Sequence, residues 1–158
     1  MTFNTVLPIW QAIQTRFHKT VKGLPEEDLN LQIGSSSIES LIRHNAEVEF
    51  MFADWFFGKQ LPEDHNKAKN DDVLSNNESV NRVEELVELL ASSNTHFIEA
   101  MRELPEDSWH QIVESRMGPS TPLEAVGRLM YHTGIHSGQI SLIQKNALRI
   151  EEATNTTV

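Results

Sequence analysis

Apolar side chains recur along this chain at steps of three and four. Val6, Trp10, Ile13, Phe17 and Val21 fall on one face of a helix that runs to about Gly23. After a turn-like stretch from Asn30 to Ser37, Leu41, Val48, Met51, Phe52 and Trp55 mark a second helix ending near Phe57. Ser36 and Glu39 have the S-x-x-E spacing of a capping box at its start. A third stripe comprises Val83, Leu86, Val87, Leu90, Phe97, Met101 and Leu104, with Asn94 as a polar intruder and Pro105 just beyond its end. Thr121, Pro122 and Glu124 supply an N-cap, a first-turn proline and a third-position acid for a fourth helix, which runs to about Lys145.

Between the second and third stripes, Gly58 to Asn77 is rich in Asp, Asn, Lys and Pro, and reads as a long polar connection able to join non-adjacent helices. Leu24-Pro25-Glu26-Glu27 and Leu104-Pro105-Glu106-Asp107 each close a helix ahead of an irregular linker, a weak internal repeat of two helix pairs. No strand signal of similar length competes. The pattern therefore predicts an all-α four-helix bundle over residues 1–148, with 149–158 a flexible tail.

A chain of 158 residues forms one domain that buries roughly two-thirds of its unfolded surface without disulfides. Its net charge of −10, from 23 acidic and 13 basic side chains, opposes binding to nucleic acid or anionic lipid. The absence of cysteine removes thiolate ligands and any nucleophilic thiol of the protein itself, so a metal must be held by histidine or carboxylate. The opening MTFNTVLPIWQAIQTRF lacks the form of a signal peptide, and no stretch approaches the ~20 apolar residues that span a bilayer. A cytoplasmic location is expected.

Seven histidines are present. Helical projection places His44 amid Leu41, Val48, Met51, Phe52 and Trp55, pointing into the core. His132 and His136 share a face with Ala125, Leu129, Ile140 and Ile143, also inward. His18 and His96 fall away from their stripes, and His65 and His110 lie in connections, so these four are expected to be solvated. A lone histidine on an apolar face is usually a hydrogen-bonded core residue. A pair four apart is able to chelate one ion, and a third imidazole from another helix completes an open three-ligand site. Coordination would offset the several kcal/mol needed to bury unpartnered imidazoles; a hydrogen-bonded structural cluster is the alternative.

Glu47 lies near the face of His44 as a candidate fourth ligand, general base or orienting acceptor, or as a surface partner of Arg43. Three imidazoles suit zinc, nickel and iron(II) alike. Gly127, Gly134 and Gly138 project within about 40° of one another, away from the histidines. Close packing is expected there, either by a second copy in a homodimer or by a helix of the same bundle.

Leu41 to Glu49 (LIRHNAEVE) and Tyr131 to Ile140 (YHTGIHSGQI) resemble the two signature stretches of the DinB-like (DinB/YfiT) family of small bacterial metal-binding proteins. The resemblance covers residues 1–148 and implies an up-down-down-up bundle, commonly dimeric, with nickel, zinc or iron on three histidines matching His44, His132 and His136. Characterised relatives include bacillithiol S-transferases and a mycothiol-dependent maleylpyruvate isomerase. The expected activity is therefore a metal-dependent S-transferase joining a low-molecular-weight thiol to an electrophile. A metal-dependent hydrolase and a non-catalytic, stress-associated metal-binding protein remain alternatives, and the resemblance makes it neither a polymerase nor a DNA-binding protein.

Overall fold

The computed structural model describes residues 1–63 and 81–149. Four long helices dominate: α1 (Thr2–Lys22), α2 (Ile38–Phe57), α3 (Arg82–Glu103) and α4 (Pro122–Asn146). Contacts along their lengths fix their directions. Glu39 meets Arg82 near the starts of α2 and α3, Glu49 meets Ser93 midway, and Lys59 meets Glu103 at the far ends, so these helices run parallel. Thr2 instead reaches Glu106 beyond the end of α3, and Glu26 beyond the end of α1 reaches the start of α3. Asn45 of α2 meets Thr133 of α4, while Arg128 lies over Phe52 and Phe56. The order is up-down-down-up. Parallel α2 and α3 need the long connection read from the sequence, of which residues 64–80 lie outside the described ones.

Three short strands, β1 (Leu31–Ile33), β2 (Ser36–Ser37) and β3 (Leu148–Arg149), form an antiparallel sheet in the order β2-β1-β3. The stretch from Asn30 to Ser37 is thus a hairpin as well as a turn, and Arg149, expected to open a flexible tail, pairs with Leu31. Strands of two or three residues are too short to show a period of two. The rest of the expected tail, 150–158, lies outside the described residues.

The start of α2 also differs from expectation. Ser37, not Ser36, accepts the Ser40 amide proton at 3.1 Å, and Glu39 is held sideways by Arg43 and Arg82 instead of closing a capping box. Two guanidinium partners outcompete one backbone amide. At α4 the expected box forms in full between Thr121 and Glu124, an arrangement whose cap contributes about 1 kcal/mol.

The Leu-Pro-Glu repeat has a structural role. Both copies turn into single 3-10 segments, Glu26–Asn30 and Glu106–Ser108. Glu26 accepts from the amides of Arg82 and Val83 at 3.0 and 3.2 Å, and Glu106 from that of Thr2 at 3.0 Å. Each linker therefore supplies a carboxylate to the positive N-terminus of the other pair's first helix.

The core falls into two apolar clusters. One gathers Phe17, Val21, Ile38, Ile42, Leu86, Leu90 and Ile140; the other gathers Trp10, Phe52, Phe97, Met101, Trp109 and Leu129. Between them each of the four long helices places a buried polar side chain: Gln14 in α1, Asn45 and Glu49 in α2, Ser93 in α3 and Thr133 in α4. No described helix is long and apolar enough to cross a membrane.

Candidate metal centre

The polar layer links the helices by hydrogen bonds. Glu49 accepts from Gln14 Nε2 at 2.9 Å, Asn45 Nδ2 at 3.2 Å and Ser93 Oγ at 2.7 Å. Thr133 Oγ1 in turn donates to Asn45 Oδ1 at 3.2 Å. Asn45 follows His44, and Thr133 lies between His132 and His136. The Asn45–Thr133 bond thus sets α2 against α4 beside the histidines, and ligand atoms of His44, His132 and His136 come within 4.8 Å of one another. The ring centroids of His132 and His136 are 4.3 Å apart, and those of His44 lie 5.1 and 5.3 Å from them.

His136 is buried, His132 half-buried and His44 exposed. The expectation that all three point into the core is corrected for His44. The core face of α2 is centred on Ile42, Asn45, Glu49, Ala53 and Phe56, with polar Asn45 and Glu49 at its middle. Val48, Met51, Phe52 and Trp55, which made His44 look central, line an open groove into which it faces. The groove encloses about 400 Å³, and Met117, Arg128, Tyr131, His132 and Ile135 complete its lining.

The donor set suits a divalent cation. Gln139 Oε1 accepts from His136 Nδ1 at 2.6 Å, which leaves the His136 Nε2 lone pair turned to His132 Nε2 at 2.9 Å. Among the described residues, His132 Nδ1 is the buried side-chain polar atom without a hydrogen-bond partner. Burial, aided by the neighbouring His136 and His44, pushes the His132 pKa down to about 4, and burial lowers that of His136 as well. Both rings are neutral at physiological pH, the form that offers lone pairs to a metal. A hydrogen-bonded structural cluster would be expected to pair its buried nitrogens, and this one leaves one unpaired.

Glu47, half-buried three residues after His44, is outside the three-histidine cluster and the groove lining. His18 is half-buried and lies 3.1 Å from Gln14 Oε1, so it meets the polar layer more than solvent. His96 corrects its expected exposure more strongly: it is buried, 3.4 Å from the Lys59 carbonyl and against the Phe50 ring. The end of α2 packs alongside α3 and covers the face that projection left outside. His110 is exposed as expected, and His65 lies outside the described residues.

Sequence reasoning missed the polar layer. Its signal is present at Gln14, which lies four residues from Trp10 and three from Phe17 and is buried, whereas Ile13, expected on the stripe, is only half-buried. The glycine expectation is resolved in one respect. A Cβ added at Gly127, Gly134 or Gly138 would meet nothing within 4 Å, so none of α1, α2 and α3 packs closely there.

A model of the DinB superfamily matches residues 9–140. The fold is similar to the crystal structure of a DinB-like protein from Bacillus cereus ATCC 10987, with a TM-score of 0.67 at 17% identity over 90% of this chain and 92% of that one. It is also similar to a mutant of the mycothiol-dependent maleylpyruvate isomerase, with a TM-score of 0.60 at 15% identity over 94% of this chain; the chain spans 62% of that protein's length. No significant match is found among curated proteins. The matched segment holds all three histidines and the polar layer, and the chain belongs to the DinB superfamily.

Proposed function

We propose that the protein is a metal-dependent S-transferase in which His44, His132 and His136 hold a divalent cation, nickel, zinc or iron(II), and a small thiol reacts with an electrophile in the adjoining groove. The observation that carries this reading is the three-imidazole cluster at the wall of an open, mainly apolar groove. The chain has no cysteine, so the sulfur arrives with a cosubstrate. The thiol dependence of the isomerase of similar fold supports the choice of cosubstrate. A cation at the three imidazoles supplies positive charge that favours the thiolate over the thiol at neutral pH.

The chain's own residues do the rest. Gln139 orients the His136 ring and fixes its tautomer. Phe52, Trp55 and Met51 keep water from the apolar part of the electrophile. Glu47, one turn beyond His44 and outside the groove lining, would act on the thiol only through His44, as the group that orients that ring. The test uses protein purified without chelators or nickel resin, analysed for metal and incubated with bacillithiol or cysteine and 1-chloro-2,4-dinitrobenzene. Conjugation by the metal-loaded protein above the uncatalysed rate, abolished by chelation and restored by metal, is expected; equal rates before and after chelation overturn the reading.

We also propose a homodimer through the outer face of α4. Tyr131 and Leu142 are 73% and 56% exposed there beside Gly127, Gly134 and Gly138, and glycine notches let a second copy approach closely. Sedimentation at micromolar concentration is expected to give twice the 18.0 kDa chain mass; a monomer refutes the interface.

A further inference from the structure

The groove beside the histidines carries one cation of its own. Arg128 precedes His132 by four residues, so His136, His132 and Arg128 occupy successive turns of one face of α4. Its guanidinium is seated 5.4 Å from the Phe52 ring centroid and 5.8 Å from that of Phe56. Those aromatic faces fix the side chain at the groove wall and leave its N–H groups unused. Among the described residues it makes no hydrogen bond or ion pair. Glu124, one turn earlier, acts on it through its charge but has its carboxylate engaged in the capping box at the start of α4. Among the described residues no carboxylate lines the groove, although the chain carries 23 acidic residues.

A partly buried guanidinium with no hydrogen-bond or ion-pair partner among the described residues, in an apolar groove of a strongly acidic protein, is a receptor for an anion. The fork of N–H donors matches a carboxylate with two hydrogen bonds. Side chains four apart on a helix have Cβ atoms about 6 Å from one another, which sets the span between that anion and the atom facing His132.

We propose that Arg128 is the anion subsite of the groove, selecting small aromatic or aliphatic molecules whose carboxylate lies about one helical turn from the atom presented to the three histidines. This rests on the groove being the thiol-binding site. The carboxylate belongs either to the thiol or to the electrophile, and the chemistry of recognition is the same.

The experiment is calorimetric titration of zinc-loaded protein with 4-mercaptobenzoate and its neutral isostere 4-mercaptobenzamide, beside the sulfur-free pair 4-methylbenzoate and 4-methylbenzamide. The wild type is expected to bind the carboxylate member of at least one pair tenfold or more tightly than the amide. Arg128→Gln should reduce that ratio to below twofold without weakening amide binding, and Arg128→Lys should retain part of it as a point charge. Zinc binding and the melting curve of each variant establish that the fold and the histidines are intact. Preference confined to the thiol pair assigns the carboxylate to the thiol; preference in the sulfur-free pair assigns it to the electrophile.

Equal affinity for carboxylate and amide in the wild type, or a preference that survives Arg128→Gln, overturns the proposal. Metal-dependent binding of 4-mercaptobenzamide without carboxylate preference overturns the anion subsite and leaves the thiol reading standing. Arg128-dependent binding of 4-methylbenzoate, with no binding of either thiol, does the reverse.

Discussion

The double variant His132→Ala, His136→Ala is expected to fold and to hold zinc at least a hundredfold more weakly than the wild type. Two of the three imidazoles come from successive turns of α4, and the exposed ring of His44 left behind is an ordinary surface ligand. The fold should tolerate the change, because the variant also removes the buried Nδ1 that lacks a partner and the two rings whose protonation burial opposes. The clearest readout is the metal's own stabilisation. At a thousand times its dissociation constant a ligand that binds only the folded state contributes about 4 kcal/mol, which for a chain of this size raises the melting temperature by roughly 8–16 °C. Scanning calorimetry with and without zinc should show that rise in the wild type and little or none in the variant. An equal rise in both would mean that the metal sits elsewhere.

Glu49→Gln is expected to change how stability depends on pH. Burial raises the Glu49 carboxyl from its ordinary 4.5 to about 7, although hydrogen bonds from Ser93, Gln14 and Asn45 pull the other way. Between those two values the folded chain keeps a proton that the unfolded chain has released. The stabilising contribution of protonated Glu49 is therefore fully present below pH 4.5 and is lost as the pH rises through 7. The loss is on the order of 3 kcal/mol. His18, His132 and His136, whose pKa values burial lowers, work in the opposite direction, adding stability as the pH rises toward 6.5.

Comparing wild type with Glu49→Gln cancels the histidines and isolates the carboxyl. In metal-free protein the variant should gain roughly 6–12 °C in melting temperature relative to wild type between pH 4.5 and pH 7.5. A pH-independent difference between the two curves would show that Glu49 is ionised throughout. Glu49→Ala should instead lower stability at every pH, because it opens a cavity and leaves the Gln14 and Asn45 amides without their acceptor.

Most of the bundle was legible because long amphipathic helices repeat their signal several times. Thr121 and Glu124 announced the start of α4 from local chemistry alone, and Pro105 its predecessor's end. The metal site was legible in identity but not in depth. Spacing put His132 and His136 on one face, yet α2 is apolar on two sides, core and groove, and projection cannot tell which side a histidine serves. The same ambiguity hid Asn45 and Glu49, polar residues on the more deeply buried side. His96 was misplaced because a helix's outer face is outer only until another element covers it. The sheet could not be read at all, since β3 exists only by pairing with β1, more than a hundred residues away.

The crossed carboxylates of the two linkers bear on how the molecule assembles. Glu26 belongs to the first helix pair but satisfies amides at the start of α3, and Glu106 belongs to the second but satisfies those at the start of α1. Neither pair completes the N-terminus of its own leading helix. A fragment holding α1 and α2 would lose the Glu106 acceptor at the start of α1, and one holding α3 and α4 would keep the Asn81 cap but lose Glu26 from the Arg82 amide; either would also lose part of each apolar cluster. The halves are thus interdependent folding units, and the repeat in the sequence describes reciprocity rather than two autonomous hairpins laid together.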